Sequence, residues 1–262
     1  MNIVSFGGGT NSTAMLIGIY EKKIPVDLIL FADPGGEMPN TYQHIETMNK
    51  WLLEHGMPQI TTVKKVDENG DRLTLEQECL NSKTLPAIAF GWKTCSQKHK
   101  IAPQDKFCNN YQHCKDVWSA DEKIYRYVGY DAGEENRILN AKAINLSDKK
   151  YKNVYSLYDW GWYREDCVKK IQEYEISLPG KSSCFFCPSM KKSEIKQLQR
   201  IYPELLQRAL AIEDNAQETL ETVKGLGRNY AWRDFINGVE SQIEMCIGYG
   251  DGTMPCGCYD GE

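Results

Sequence analysis

A run of three glycines near the start of the chain is the feature that most limits its fold. Residues 4–15 read VSFGGGTNSTAM, and the glycines stand between a short apolar stretch, residues 1–5, and a segment of helical periodicity, residues 11–21. A glycine-rich turn between a strand and a helix presents several backbone N–H groups, and the helix dipole adds partial positive charge there. The pattern predicts a phosphate-binding loop, although an ordinary tight turn also uses glycine.

The segments that follow predict an α/β fold. Further strands are expected at 26–32, 60–66 and 124–129, and further helices at 41–55, 73–81, 166–174 and, as one long element continuing toward residue 223, 188–211. The strand-helix alternation at the start favours a mostly parallel, twisted sheet with helices on both faces. We expect a nucleotide-binding α/β domain over residues 1–160 and a mainly helical, cysteine-bearing region over residues 161–262.

Composition narrows the location and the partners. The chain has 262 residues and a formal net charge of −5, so it has no overall basic signature for nucleic acid. Its opening is too short and too polar for a signal peptide, and no apolar run is long enough to span a bilayer, which predicts a cytoplasmic protein. A local basic cluster is interpreted as a solvent-exposed helix face, and a nucleic-acid-binding surface is the alternative. Its members are Lys181, Lys191, Lys192, Lys196 and Arg200.

Ten cysteines are many for a chain without an export signal, and close spacings then indicate metal or redox chemistry. Two spacings qualify, the CxxC of Cys184 and Cys187 and the CxC of Cys256 and Cys258. The other cysteines outside these pairs, apart from Cys95, are expected to be ordinary small buried residues. They are Cys79, Cys108, Cys114, Cys167 and Cys246.

Six segments, in the same order, resemble two related families. GGGTNST (7–13) resembles the SGGxDS loop of the N-type ATP pyrophosphatases. The other five resemble segments of the phosphoadenosine phosphosulfate (PAPS) reductase family: FADPGGEMPNTY (31–42), TCSQKHKIAPQDKF (94–107), YVGYDAGEENRI (127–138), YSLYDWGWYREDCVKKIQEYEI (155–176) and SSCFFCP (182–188). The resemblance implies a Rossmann-like fold of the HUP type. Gly7, Asn11 and Asp131 depart from the usual Ser, Asp and Arg, whereas the retained Gly8-Gly9-x-x-Ser12 favours ATP over a sulfonucleotide such as PAPS or APS.

The resemblance also implies a nucleotide site beyond the carboxyl ends of the strands. Asp33 and Glu37 would hold Mg²⁺ through water, and Lys100 and Arg137 would neutralise phosphate charge. Asp33, Lys100 and Arg137 are the predicted catalytic residues, with a turn role for Asp33 and surface ion pairs for the two cations as alternatives. The remaining predicted nucleotide contacts are Ser5, Gly7, Gly8, Gly9, Asn11, Ser12, Thr13, Phe31, Ala32 and Gly129.

Relatives in the resembled family that carry an iron-sulfur cluster have a cysteine in the segment of Cys95, which implies a [4Fe-4S] cluster on Cys95, Cys184 and Cys187. The fourth iron would be open to a sulfur ligand, or Cys256 or Cys258 would complete the set; we include Cys258 among the predicted ligands. Structural zinc on the CxxC and the CxC is an alternative, and cysteines without a metal are a third.

Three functions of different class follow. The first is an ATP-dependent enzyme that adenylates an oxygen of a tRNA, DNA or small-molecule acceptor and replaces it with sulfur delivered through the cluster. The second is a sulfonucleotide reductase that releases sulfite, although its expected Glu-Cys-Gly-Leu-His tail is replaced by PCGCY (255–259). The third is a non-catalytic nucleotide-binding module of a larger complex. An adenine nucleotide, a sulfur-donor protein and a second copy of the chain are the candidate partners, with no membrane.

Overall fold

Five parallel strands form the centre of the fold in the computed structural model, which describes residues 1–145 and 147–238. The strands are β1 (Asn2–Ser5), β2 (Leu28–Asp33), β3 (Ile60–Lys64), β4 (Ile124–Val128) and β5 (Tyr151–Val154). Their order across the sheet is β3-β2-β1-β4-β5. In the register, Val4 of β1 lies between Ile29 of β2 and Tyr127 of β4. Strands β2 and β3 therefore lie on one side of β1, and β4 and β5 lie on the other, so the strand order reverses between β1 and β4.

The helices of the described residues begin with α1 and α2, which follow the first two strands, and end with a helical C-terminal part. They are α1 (Thr10–Glu21), α2 (Pro39–Glu54), α3 (Leu75–Asn81), α4 (Thr94–Ser96), α5 (Ala102–Asn110), α6 (Gln112–Ser119), α7 (Glu135–Asn145), α8 (Ser156–Asp159), α9 (Arg164–Glu173), α10 (Lys192–Ile201), α11 (Pro203–Ala216) and α12 (Trp232–Ile236). A π-helical turn at Gln97–Ile101 connects α4 to α5.

Apolar residues cover both faces of the sheet because alternate strand positions point to opposite sides. Val4, Ile29 and Tyr127 belong to one core with residues of α1, α2 and α9. Ile3 and Leu28 belong to another core with residues of α5 and α6. The predicted class, a parallel sheet with helices on both faces and a helical C-terminal part, is confirmed.

The prediction of one helix over 188–211 is wrong. The chain forms two helices there, because α10 ends at Ile201 and α11 begins at Pro203. Proline has no backbone N–H and its ring clashes with the preceding turn, so it begins a helix and does not continue one. The sequence analysis also missed α5, α6, α7 and β5.

A third core lies apart from the sheet. It joins α3, α10 and α11, and it includes Phe185 and Phe186 of the CxxC segment. Helix α9, which begins after residue 160, packs instead against α1, and both helices share a core with one face of the sheet. The division of the chain into residues 1–160 and 161–262 stays a prediction.

Candidate functional site

The glycine loop joins the carboxyl end of β1 to the first turn of α1. Gly9 is the N-cap of α1, and the side chains of Ser12 and Thr13 both donate to its carbonyl, at 3.0 and 2.9 Å. Gly8 has φ of +72°, and a Cβ there would lie 2.9 Å from Cγ2 of Thr41. Both the conformation and the space at Gly8 therefore require glycine.

The segment after β4 closes on this loop from the other side of the switch in strand order. A Cβ on Gly129 would lie 3.1 Å from the backbone nitrogen of Ser12, so a side chain at position 129 would press against the backbone of the loop. Asn11 donates to Oδ2 of Asp131 at 2.9 Å, and Arg164 donates to Oδ1 of Asn11 at 2.8 Å. The predicted loop and the predicted 127–137 segment are thus in contact.

The third predicted wall, the end of β2, carries Asp33 with both carboxylate oxygens already engaged. Oδ1 accepts from the backbone N–H of Gly35 at 2.7 Å and from the hydroxyl of Tyr42 at 2.8 Å, and Oδ2 accepts from Arg72 at 2.6 Å. Burial and the neighbouring carboxylate raise the pKa of Tyr42, so that it remains a donor. Asp33 therefore combines the turn contact with a buried polar network.

Glu37 and Lys100 form an ion pair that is almost closed to solvent. Oε1 of Glu37 lies 2.9 Å from Nζ of Lys100, and the two residues are 3% and 8% exposed. The second carboxylate oxygen, Oε2, is buried without a hydrogen-bond partner among the described residues. A buried oxygen of this kind is costly unless a cation or a ligand satisfies it.

Arg137 lies in the first turns of α7, close to the acidic end of the 127–137 segment. It donates to Oε1 of Glu134 at 2.5 Å, and its guanidinium carbon lies 4.0 Å from the ring centroid of Tyr130. Glu134 in turn approaches the Asn11 amide at 3.4 Å. The arginine is therefore held beside the glycine loop by an ion pair and an aromatic ring.

The CxxC segment lies directly on the glycine loop. The Ser182 hydroxyl donates to the carbonyl of Gly7, and the Ser182 Cβ is 3.6 Å from the position of a Cβ on Gly9. Cys184 pairs with Glu37 in an isolated antiparallel bridge, flanked by hydrogen bonds from Phe185 N to Gly36 O at 2.8 Å and from Met38 N to Ser183 O at 3.0 Å.

The three predicted cysteine ligands of the described residues line one pocket. Cys95, Cys184 and Cys187 share it with Lys100 and with apolar side chains such as Phe186. None of the three is in a disulfide bond, and no group of three or more His, Cys, Asp or Glu side chains within residues 1–145 and 147–238 forms a metal-ligating cluster. The thiols are the right donors for iron or zinc, and their side chains would have to converge to bind it.

The remaining cysteines divide between buried residues and undescribed ones. The predicted burial of Cys79, Cys108, Cys114 and Cys167 is confirmed. The predicted ligand Cys258 lies outside the described residues, as do Cys256 and Cys246.

Sequence reasoning missed a histidine beneath the loop. Nε2 of His44, on α2, lies 2.8 Å from the Thr13 hydroxyl oxygen. Thr13 gives its proton to Gly9, so we assign the Nε2 proton to His44. Burial lowers the pKa of His44 to about 4, which keeps the ring neutral at physiological pH. The sequence feature that could have identified His44 is its place, as a polar residue, on the buried face of α2.

Fold and site together define a doubly wound α/β protein with a glycine-rich loop at the switch in strand order and a cysteine-bearing segment on top of it. No protein-family model matches the chain. An uncharacterized protein of Methanocaldococcus jannaschii is 27% identical over 213 residues. That match covers 78% of this chain and 39% of the relative, so the chain spans about two fifths of the relative's length.

A solved structure of similar chain path is the U34-tRNA thiolase NcsA from Methanococcus maripaludis with its [4Fe-4S] cluster. The match covers 98% of this chain and 79% of that one, with 14% sequence identity and a TM-score of 0.43. Neither comparison assigns a ligand or a reaction to this chain. Within its described residues, no helix is long and apolar enough to cross a membrane.

Proposed function

We propose that this chain is an ATP-dependent sulfur-transfer enzyme of the superfamily that joins the N-type ATP pyrophosphatases and the PAPS reductases. A carbonyl oxygen of the acceptor attacks the α-phosphorus of ATP, and pyrophosphate leaves. A sulfide equivalent then forms a bond to the activated carbon, and AMP leaves with the former carbonyl oxygen. The net change converts C=O, ATP and sulfide to C=S, AMP and pyrophosphate, with no net oxidation or reduction.

The observation that carries this proposal is the contact between the glycine loop and the CxxC segment. Ser182 donates to Gly7, and Cys184 bridges Glu37 immediately after the end of β2. Nucleotide chemistry and sulfur chemistry would therefore share one site. A nucleotide-binding module alone would not need a set of cysteines beside its phosphate loop.

The loop would bind the phosphates through backbone N–H groups at the start of α1 and would stabilise the leaving pyrophosphate. The backbone at Phe31 and Ala32 would contact adenine. Arg137 would supply charge to the phosphates by exchanging Glu134 for them. These assignments rest on the position of the residues around the edge of the sheet.

The proposed Mg²⁺ site combines Asp33 and Glu37, and the two carboxylates differ in how far their oxygens are already occupied by hydrogen bonds. Glu37 retains a buried oxygen without a hydrogen-bond partner in the described part of the chain, whereas Asp33 has three donors. Glu37 would therefore be the first ligand, with Lys100 moving from Glu37 to phosphate. Asp33 would act mainly by ordering the turn and Tyr42.

The cysteine pocket would hold a [4Fe-4S] cluster on Cys95, Cys184 and Cys187, with zinc as the alternative metal. The cluster would supply an iron on which a sulfide can be carried. The three thiols that line the pocket are the donors such a cluster takes, and their side chains would converge when they bind it. The fourth iron would be open to sulfide, or Cys256 or Cys258 would complete the ligand set.

The acceptor is proposed to be nucleic acid, preferably tRNA. On α10, Lys196 and Arg200 are exposed one turn apart, whereas Lys181 is already paired with Glu194 at 2.8 Å. The exposed pair would contact phosphates as a salt-dependent footing. A sulfur-donor protein and a second copy of the chain remain the other proposed partners.

Anaerobic purification followed by three assays tests the proposal. We expect iron in the protein, pyrophosphate release from ATP that depends on added tRNA, and a thiolated product when sulfide is supplied. Sulfite release from PAPS or APS would replace the proposal with the reductase. Activity in neither assay, with ATP still bound, would leave only the nucleotide-binding module.

A further inference from the structure

A polar cavity lies on the sheet face opposite α1, between α5 and α7. Its volume is about 350 Å³, and β4 and β5 form its floor. Helix α6 contacts β4 and helix α7 contacts β5, but the space between α5 and α7 is open. Cavities of this size are at the lower end of the range used for small ligands, roughly 300–1,000 Å³.

The floor of the cavity is polar where a parallel sheet is normally apolar. Arg126 occupies the inward position between Ile124 and Val128, and Tyr151 and Asn153 occupy the matching positions of β5. Such residues in place of valine or isoleucine weaken the core, so their presence calls for a use. A bound polar molecule would provide one.

The charges of the cavity are balanced. Arg126 donates to Oδ1 of Asp105 at 2.5 Å, and its guanidinium carbon lies 3.5 Å from the ring centroid of Tyr151. Lys150 donates to Asn109 at 2.7 Å, and Asp148 accepts from the backbone N–H of Lys150 at 2.8 Å. Two cations face two carboxylates, which disfavours both a phosphate group and a metal ion.

The hydrogen-bonding groups of the wall suit a neutral heterocycle. Gln104, Asn109 and Asn153 carry amides, which pair with adjacent donors and acceptors on the edge of a base. The Tyr151 hydroxyl is buried beside the Cys108 thiol and is closed to a molecule in the cavity, so recognition of a ligand would fall to the amides.

The cavity also reaches the edge of the sheet where the proposed reaction occurs. Gln104 accepts from the Ser5 hydroxyl at 3.0 Å, at the last residue of β1 before the glycine loop. Tyr130 lines the cavity and directly precedes Asp131, which binds Asn11 of the loop. A ring held between these two points would lie under the loop.

We infer that this cavity binds a nucleobase, supplied either as a free nucleoside or as an unstacked base of a single-stranded nucleic acid. The role of the cavity as the base pocket of the acceptor rests on the proposed function. Its ability to bind a nucleobase does not depend on ATP. Enzymes that modify bases take the base out of the stack and read its edge in such a pocket.

The experiment titrates the full chain with adenosine, guanosine, cytidine and uridine, and with short single-stranded oligonucleotides, by calorimetry. Ala141 of α7 lines the cavity and Ala143 is exposed on the same helix, so Ala141→Phe fills the cavity and Ala143→Phe is its matched control. We expect binding of at least one nucleoside or oligonucleotide, weakened about tenfold or more by Ala141→Phe and unchanged by Ala143→Phe. Asn153→Leu, which removes an amide at nearly constant volume, provides a second route to the same loss.

Titrations at saturating ATP, and with the loop variant Gly8→Ala, separate this site from the nucleotide loop. Persistence of nucleoside binding in both supports the cavity, even if pyrophosphate release fails and the proposed function with it. Absence of binding for every nucleoside and oligonucleotide, or undiminished binding in folded Ala141→Phe and Asn153→Leu, overturns the inference. Binding of oligonucleotides but not nucleosides would identify the nucleic acid as the source of the base.

Discussion

The glycine loop and the cysteine pocket are neighbours built in opposite ways. The loop is contiguous: residues 5–13 supply its turn, its helix start and the hydrogen bonds of Ser12 and Thr13 to Gly9. The pocket collects Cys95 and the CxxC from segments almost ninety residues apart, and Cys95 and Cys184 pack against the third core. Local sequence can specify the first, whereas only tertiary packing can produce the second.

The CxxC segment contacts the loop through the Ser182–Gly7 hydrogen bond, and the Glu37–Cys184 bridge joins it to the segment that follows β2. If the loop and the pocket form one site, damage to either should affect the chemistry of the other. If they are only adjacent, a loop variant should affect nucleotide binding alone, and a pocket variant should affect metal binding alone. The variants below are chosen to separate these outcomes, beginning with the largest effect.

Removal of a pocket thiol should abolish sulfur transfer. We expect Cys184→Ser and Cys95→Ser to lose the iron and the thiolated product, because serine is a poor ligand for iron-sulfur clusters. Cys167→Ser is the matched control, since Cys167 is a buried thiol in the core under α1. Iron content and the visible absorption of anaerobic samples provide the measurement.

The tail cysteines refine this prediction. An open iron site predicts that Cys256→Ser and Cys258→Ser both retain iron. Loss of iron in either would show a closed ligand set, and retention of activity in Cys184→Ser would remove the cysteine pocket from the mechanism altogether.

In the loop, Gly8→Ala should nearly eliminate nucleotide binding. The new methyl would meet Thr41 at 2.9 Å in a backbone of φ +72°. Gly70→Ala is the control for backbone strain alone, because Gly70 has φ of +89° and open space around it, and it should cost about 1 kcal/mol of stability or slightly more. Equilibrium binding of ATP distinguishes them, and equal affinity in the two variants would contradict the loop assignment.

The loop was predictable because its signals are short in range. The strand, the glycine turn and the start of α1 came within a residue or two of the structure, from periodicity and glycine alone. The contacts of Asp33 with Arg72 and of Thr13 with His44 were not predictable, because the partners are 39 and 31 residues away. Helices α5 and α6 were missed because both are short and mostly polar, and β5 because it is short and half polar.

Acid should weaken the fold through His44. An unfolded histidine titrates near pH 6.5 and His44 near 4, so between these values the unfolded chain binds a proton that the folded chain does not. Stability is full above about pH 6.5 and falls toward pH 4, by roughly 3 kcal/mol at most. We expect His44→Gln to flatten this part of the profile, measured by urea unfolding at several pH values. Exposed His113→Gln should leave it unchanged, and an equal slope in wild type and His44→Gln would exclude His44 as its cause.

The smallest expected effect tests the contact between the two regions most directly. Ser182→Ala removes the hydroxyl that donates to Gly7 and should cost about 1 kcal/mol of stability, since the Gly7 carbonyl loses a protein donor. Ser183→Ala is the matched control on the next residue, because the Ser183 hydroxyl is buried without a hydrogen-bond partner among the described residues, and its removal should be neutral or stabilising.

Stability alone would not distinguish a structural bond from a shared site, so the decisive measurement is nucleotide affinity in the presence and absence of the cysteines' metal. A shared site predicts that ATP affinity responds to metal removal in the wild type and that Ser182→Ala reduces this response, because the bond links the CxxC segment to the loop carbonyl. Ser183→Ala should preserve the full response. If metal removal leaves ATP affinity unchanged in all three proteins, the loop and the pocket are adjacent but not coupled. The Ser182 hydrogen bond would then have only a structural role.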